Sequence, residues 1–155
     1  MKHRKDKFLL GVFLGILMVT MAVLSGCGAK TEPKPDPGSG KYLIYYLNSS
    51  VTKLVAQEYE TETRDQADLA EELMGQLLHV PRDLDCQPAV NEKVSFKTCR
   101  IDEQVLYLYF DGSYISMKPE QEILCRAALA RTMTQIPGID YISFYCGDQP
   151  LMDRQ

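Results

Sequence analysis

The tetrapeptide Leu24-Ser25-Gly26-Cys27 constrains this chain more than any other stretch, because it divides the 155 residues into a part to be removed and a part that must fold alone. An aliphatic residue, two small residues and a cysteine is the pattern lipoprotein maturation needs. The peptidase must fit Ser25 and Gly26 into a tight site, and the Cys27 thiol is the nucleophile that takes the diacylglyceryl group. Its position gives the pattern weight. Lys2, His3, Arg4, Lys5 and Lys7 form a positive start, and residues 8–23 are an apolar run broken only by Gly11, Gly15 and Thr20, which is the order of an export signal. That run falls short of the roughly 20 residues of a permanent membrane span. An uncleaved anchor is the alternative, and either reading leaves the rest of the chain outside the cytoplasmic membrane, since the positive end stays inside. Residues 1–26 thus read as a lipoprotein signal peptide and Cys27 as the lipid attachment site. Two acyl chains at about 0.8 kcal/mol per buried CH₂ hold such a protein at the extracytoplasmic face of the cell membrane.

Residues 27–40 are a Pro/Gly-rich linker with Pro33, Pro35 and Pro37 on alternate positions. It is predicted to be extended at about 3.1 Å per residue in its proline part, a tether reaching roughly 40 Å. What remains, residues 41–151, is enough for one domain with a core. The first 26 residues hold four of the 17 Lys and Arg and one of the 21 Asp and Glu, so residues 27–155 carry a net charge of −7. That balance argues against nucleic acid and against an anionic membrane face as partners.

With Cys27 assigned to lipid, Cys86, Cys99, Cys125 and Cys146 remain, an even number in an oxidising compartment. Two disulfides in any of three connectivities, or four free buried thiols, are both consistent with this.

Hydrophobic patterning predicts strands at 41–48 and 53–60 and an amphipathic helix at 65–79, in which Ala70, Leu73, Met74, Leu77 and Leu78 share a face. Thr63 or Asp65 can cap it. Strands at 93–101 and 104–110 follow as a hairpin, then a turn at Asp111-Gly112-Ser113. A second helix runs from Pro119 to about Gln135, its apolar residues covering more than half the circumference, so it is predicted to be the more buried helix. Pro137-Gly138 stops it before a last strand at 140–146. The order ββαββαβ, or βαββαβ if the second strand is weak, predicts an α+β fold, a two-layer α/β sandwich with two helices on one face of a mostly antiparallel sheet.

No arrangement for chemistry stands out. His79 ends a helix and has no partner that the spacing places beside it. The later cysteines are separated by 12, 25 and 20 residues with no Cys-x-x-Cys, which is not zinc spacing. Asp68 and Glu72 share a helix face and with Asp65 would form either a weak cation site or a solvated acidic surface. No phosphate loop or nucleophile elbow is present. Tyr42, Tyr45, Tyr46, Tyr107 and Tyr109 lie in strands, where they either line a sugar or peptide groove or pack the sheet. The chain reads as a non-enzyme with no cofactor and no catalytic or metal residues.

The segment Thr132-Met133-Thr134-Gln135-Ile136-Pro137-Gly138-Ile139-Asp140-Tyr141-Ile142-Ser143-Phe144, followed by Gly147 and Pro150, resembles the close of the GerMN domain of sporulation and spore-germination lipoproteins. Leu73 to Pro81 is similar to that family's Leu-Leu before Pro, and Val105 to Ser113 to its strand ending near an acidic turn. Cys146 stands where Asp or Asn is more usual, and one domain is present where the namesake resembles a tandem pair. The resemblance implies a non-enzymatic assembly or scaffold module in sporulation or germination, held at the membrane by lipid and contacting envelope or sporulation-complex proteins or the cell wall. The alternative is an envelope lipoprotein that binds cell-wall fragments or peptides. An exposed sheet edge can pair with a neighbour by strand addition, and the candidate edges are 53–60 and the last strand.

Overall fold

The computed structural model of the protein describes residues 38–152. The expected signal, Cys27 and the expected linker up to Pro37 lie outside the described residues. The elements are β1 (Lys41–Asn48), β2 (Leu54–Glu60), α1 (Gln66–Leu78), β3 (Cys86–Gln87), β4 (Phe96–Asp102), β5 (Val105–Phe110), a 3₁₀ turn (Gly112–Ser116), α2 (Pro119–Met133), β6 (Tyr141–Cys146) and β7 (Gln149–Pro150). The α+β class and the order of the long elements agree with the sequence reading. The strands divide into two sheets, β2-β1-β3 and β4-β5-β6-β7.

That division has a cause in the closing segment. Gly40 and Thr61 are bonded at 2.8 Å, as are Asn48 and Lys53 at 3.1 Å. With the unbroken β1/β2 register, this turns the N–H and C=O groups of Tyr42, Ile44 and Tyr46 toward β2, and those of Leu43, Tyr45 and Leu47 away from it. Leu47 finds its partner in β3, opposite Gln87. Leu43 donates to Gln135 Oε1 and accepts from Gln135 Nε2, each at 2.8 Å, and Tyr45 N–H donates to the buried Thr132 hydroxyl at 3.2 Å. Side chains of α2 and its exit thus satisfy the edge of β1 that another strand would need. A primary amide can do this because it carries a donor and an acceptor side by side, as a peptide group does.

Both helices pack on β1. Asp65 caps α1, accepting from Ala67 N and Asp68 N, and Leu69, Ala70, Leu73, Met74 and Leu77 are buried. Each leucine contributes about 1.5–3 kcal/mol through burial. Pro119 occupies the first turn of α2, where its missing N–H costs nothing. As expected, α2 is the more buried helix, by a small margin: six of its 15 residues are buried against five of 13 in α1, although Ile123 is 69% exposed. The helix rests between β1 and β6, so only the side carrying Cys125, Ala128, Leu129, Thr132 and Met133 meets the core. At the exit, Gly138 has φ +84°, and a Cβ there would lie 2.8 Å from Gln66 Nε2, whose amide donates to Pro137 O.

Candidate functional site

The two sheets present different surfaces. In the four-stranded sheet, β5 alternates Leu106, Leu108 and Phe110, fully buried, with Val105, Tyr107 and Tyr109, half-buried on the outer face. Parallel pairing with β6 sets Tyr145 beside Tyr109 and Ser143 beside Tyr107. Ring centroids lie 5.1 Å apart for Tyr109–Tyr145 and 6.0 Å for Tyr107–Tyr145, and the Arg100 guanidinium sits 4.7 Å over Tyr107. These rings therefore bury much of one another. Tyr42, Tyr45 and Tyr46 of the other sheet are buried in the core, so the five strand tyrosines read from the sequence do not form one groove. Tyr145 was missed as a member of the outer cluster because only the β5/β6 register places it there.

The three-stranded sheet ends at β2, whose register to β1 has no bulge. By the alternation above, Leu54, Ala56, Glu58 and Glu60 direct their N–H and C=O groups outward from the sheet, while Val55, Gln57 and Tyr59 bond β1. The first candidate edge, 53–60, is thus an open edge among the described residues. The last strand is covered over its second half, where β7 pairs with Tyr145 and Cys146 and Leu151 N–H bonds Phe144 O at 2.8 Å. The other outer strand, β4, is broken by a bulge between Phe96 and Thr98, a common way of spoiling an edge for pairing.

Beneath the open edge, β2 overhangs α1. Tyr59 Oη donates to Glu72 at 2.6 Å. This bond, ahead of burial, pushes the Tyr59 phenol from 10.0 to about 12. Hydrogen bonds from Thr63 and then Tyr59 hold the Glu72 carboxyl below its ordinary value. Past this bond the overhang opens as a cleft of about 460 Å³, lined by Ile44, Tyr46, Gln57, Gln76, His79 and Arg82 among others, with Val80 at its rim 78% exposed.

His79 is a helix cap: its N–H reaches Gly75 O and Gln76 O, and Nδ1 lies 2.5 Å from Gly75 O. Asp65 is committed to the α1 cap and Glu72 to Tyr59, so the sequence's candidate acidic trio is dispersed. Among the described residues no group of three His, Cys, Asp or Glu is placed to hold a metal ion, and no helix is long and apolar enough to cross a membrane. Cys86, Cys99, Cys125 and Cys146 are all free thiols. Because β5 separates β4 from β6, Cys99 and Cys146 lie about 9–10 Å apart or more, beyond the ~7 Å reach of a disulfide. The connectivity that contains this pair is excluded. Burial raises Cys86 and Cys99 and pushes Cys125 up to about 12, and Cys146 Sγ–H donates to Asp111 O at 3.2 Å. The Asp111 side chain accepts from Ser113 N at 3.0 Å and its N–H bonds Ser95 O, which ties the acidic turn to the start of β4.

The family description "Germane: Sporulation and spore germination" matches residues 43–152. No curated protein matches the chain. The first GerMN domain of the Bacillus subtilis sporulation protein GerM superposes with a TM-score of 0.59 at 14% identity, over 72% of this chain and 85% of that one. The tandem GerMN domains of GerM give the same score and identity, with 40% of that longer chain covered. A Clostridium perfringens crystal structure, described as that of a candidate lipoprotein, gives a TM-score of 0.50 at 17% identity over 74% of this chain and 80% of its own. At these identities the likeness is one of fold.

Proposed function

Because the chain belongs to the Germane family of sporulation and spore germination, we propose that it is an exported lipoprotein, anchored through Cys27, that acts without catalysis as an assembly component at the extracytoplasmic face of the membrane. The observation that carries the assembly role is the open edge of β2, seven residues without bulge or proline. Such an edge is a template for another chain. The signal-like residues 1–26 and the Cys27 motif, and the description of the Clostridium perfringens neighbour as a candidate lipoprotein, support the anchored location. His79, Asp65, Glu72 and the cysteines are each accounted for by capping, hydrogen bonding or burial, which supports a binding role over a chemical one.

The test is heat-resistant spore yield from a deletion strain of the source organism, complemented with wild type, with Cys27→Ala and with Glu58→Pro. The reading expects a large loss restored by wild type and by neither variant. Normal yield and germination in the deletion strain overturn it.

A further inference from the structure

We propose that the β2 edge takes up, as an added strand, an extended segment of a different protein bearing Lys or Arg. This inference rests on the assembly reading and names the chemistry of the partner.

The backbone defines the occupant's conformation. Only an extended chain can meet the outward N–H and C=O groups of Ala56 and Glu58 in sequence, since these recur at every second residue. The cleft defines where its side chains go. It opens on the face of the sheet that carries Gln57 and Tyr59, so alternate residues of an added strand would point into it, over α1. An apolar residue there would meet Val80, the exposed hydrophobic at the rim.

Charge defines the sequence. Glu58 is exposed on the edge strand, Glu60 lies two residues on, and Glu72 and Asp68, one turn apart on α1, border the overhang. The cations nearby are Arg82 in the cleft, Lys41, which pairs with Glu60 at 3.0 Å, Lys53 ahead of β2, and Arg64, which shares the far end of the edge with Glu60 and Glu62. With Glu62 included, five carboxylates meet four cations along the path of an incoming strand. A second copy of this chain would bring its own Glu58 and Glu60 to the contact, on a chain whose residues 27–155 already carry −7. That disfavours self-pairing through this edge, and opposite charge on the partner favours pairing and its rate of encounter.

The experiment uses the full-length chain in neutral detergent with two dye-labelled peptides, Lys-Val-Lys-Val-Lys-Val-Lys and Glu-Val-Glu-Val-Glu-Val-Glu, followed by fluorescence anisotropy. The basic peptide is expected to bind, more weakly as salt rises, and the acidic peptide not to bind. Glu58→Pro removes an outward N–H without touching the β1 ladder and should weaken binding about tenfold or more. Glu58→Gln keeps the backbone and should weaken it by a smaller, salt-dependent factor. Thermal midpoints check that both variants fold. The proposal is overturned if the basic peptide fails to bind, if both peptides bind alike, or if a folded Glu58→Pro binds as wild type. It is also overturned if sedimentation shows a dimer that Glu58→Pro abolishes, for then the occupant is a second copy. Peptide binding alongside normal spore yield would sink the sporulation role while leaving this surface in place.

Discussion

The two sheets are finished in opposite ways. The four-stranded sheet closes its outer face with rings that lean on one another and on Arg100, and it spoils the edge at β4 with a bulge. The three-stranded sheet buries β1 on both faces, with Ile44 and Tyr45, adjacent residues, at 1% and 6% exposure, yet among the described residues the outer edge of β2 has no partner strand. A surface rich in tyrosines draws the eye as a binding site, but here its groups already have neighbours. The plainer strand is the one with hydrogen-bonding capacity left over. What separates them is the backbone hydrogen-bonding capacity left at the edge, not how aromatic the surface is.

The sharpest way to break this contrast is a pair of neighbouring substitutions in each sheet. Ile44→Ala and Tyr45→Ala should both destabilise the fold by about 2–5 kcal/mol, since both side chains are buried. In β5, Leu108→Ala should cost a similar amount and Tyr109→Ala about 1 kcal/mol or less. Urea unfolding measures all four, and a Tyr109→Ala loss as large as that of Leu108→Ala would mean the outer face is core. Next in size, Gln57→Pro removes a β1 ladder bond and should cost about 3 kcal/mol, while Glu58→Pro, one residue on, should cost well under that. Equal costs would show that the assigned alternation of β2 is wrong.

Gln135→Ala should cost about 1–3 kcal/mol, because it leaves the Leu43 N–H and C=O without partners. Faster exchange of the Leu43 amide would show the change at its source. The smallest effect lies at the overhang. The raised Tyr59 value stabilises the fold below pH ~10 and that contribution is lost as pH rises from there through about 12; the lowered Glu72 value contributes above the ordinary carboxylate range and is lost as pH falls through it. Tyr59→Phe should flatten the alkaline limb and weaken the acid one, seen as thermal midpoints across pH.

Much of this architecture was legible in the sequence. The 65–79 helix and the 104–110 strand are read from local periodicity and turn chemistry, and each lies within a residue or two of its place, while the second helix ends at Met133, ahead of the Pro137-Gly138 stop. What was hidden depends on distant partners. The two-residue β3 has no pattern of its own and exists because Leu47 and Asn48 need partners. Val94 reads as strand but is buried in the turn before β4, with its N–H on Asn91 O. The role of Gln135 could not be seen, since nothing local tells an amide that caps its own helix from one that completes a strand 92 residues away. The open β2 edge was foreseen as a candidate, whereas the cleft beneath it is lined by residues of β1, β2, the end of α1 and the loop after it, which no local pattern brings together.

Cys125 sits at the centre of α2 with no solvent exposure, its thiol pushed up to about 12 by burial. While the domain is closed, an alkylating reagent meets almost no thiolate there and has no path to it. Openings that free α2 would let the reagent leave a permanent covalent mark, so the rate at which this one sulfur is marked reports the open fraction of the domain, or its opening rate once reagent outpaces reclosing, readable by mass without any label added to the chain.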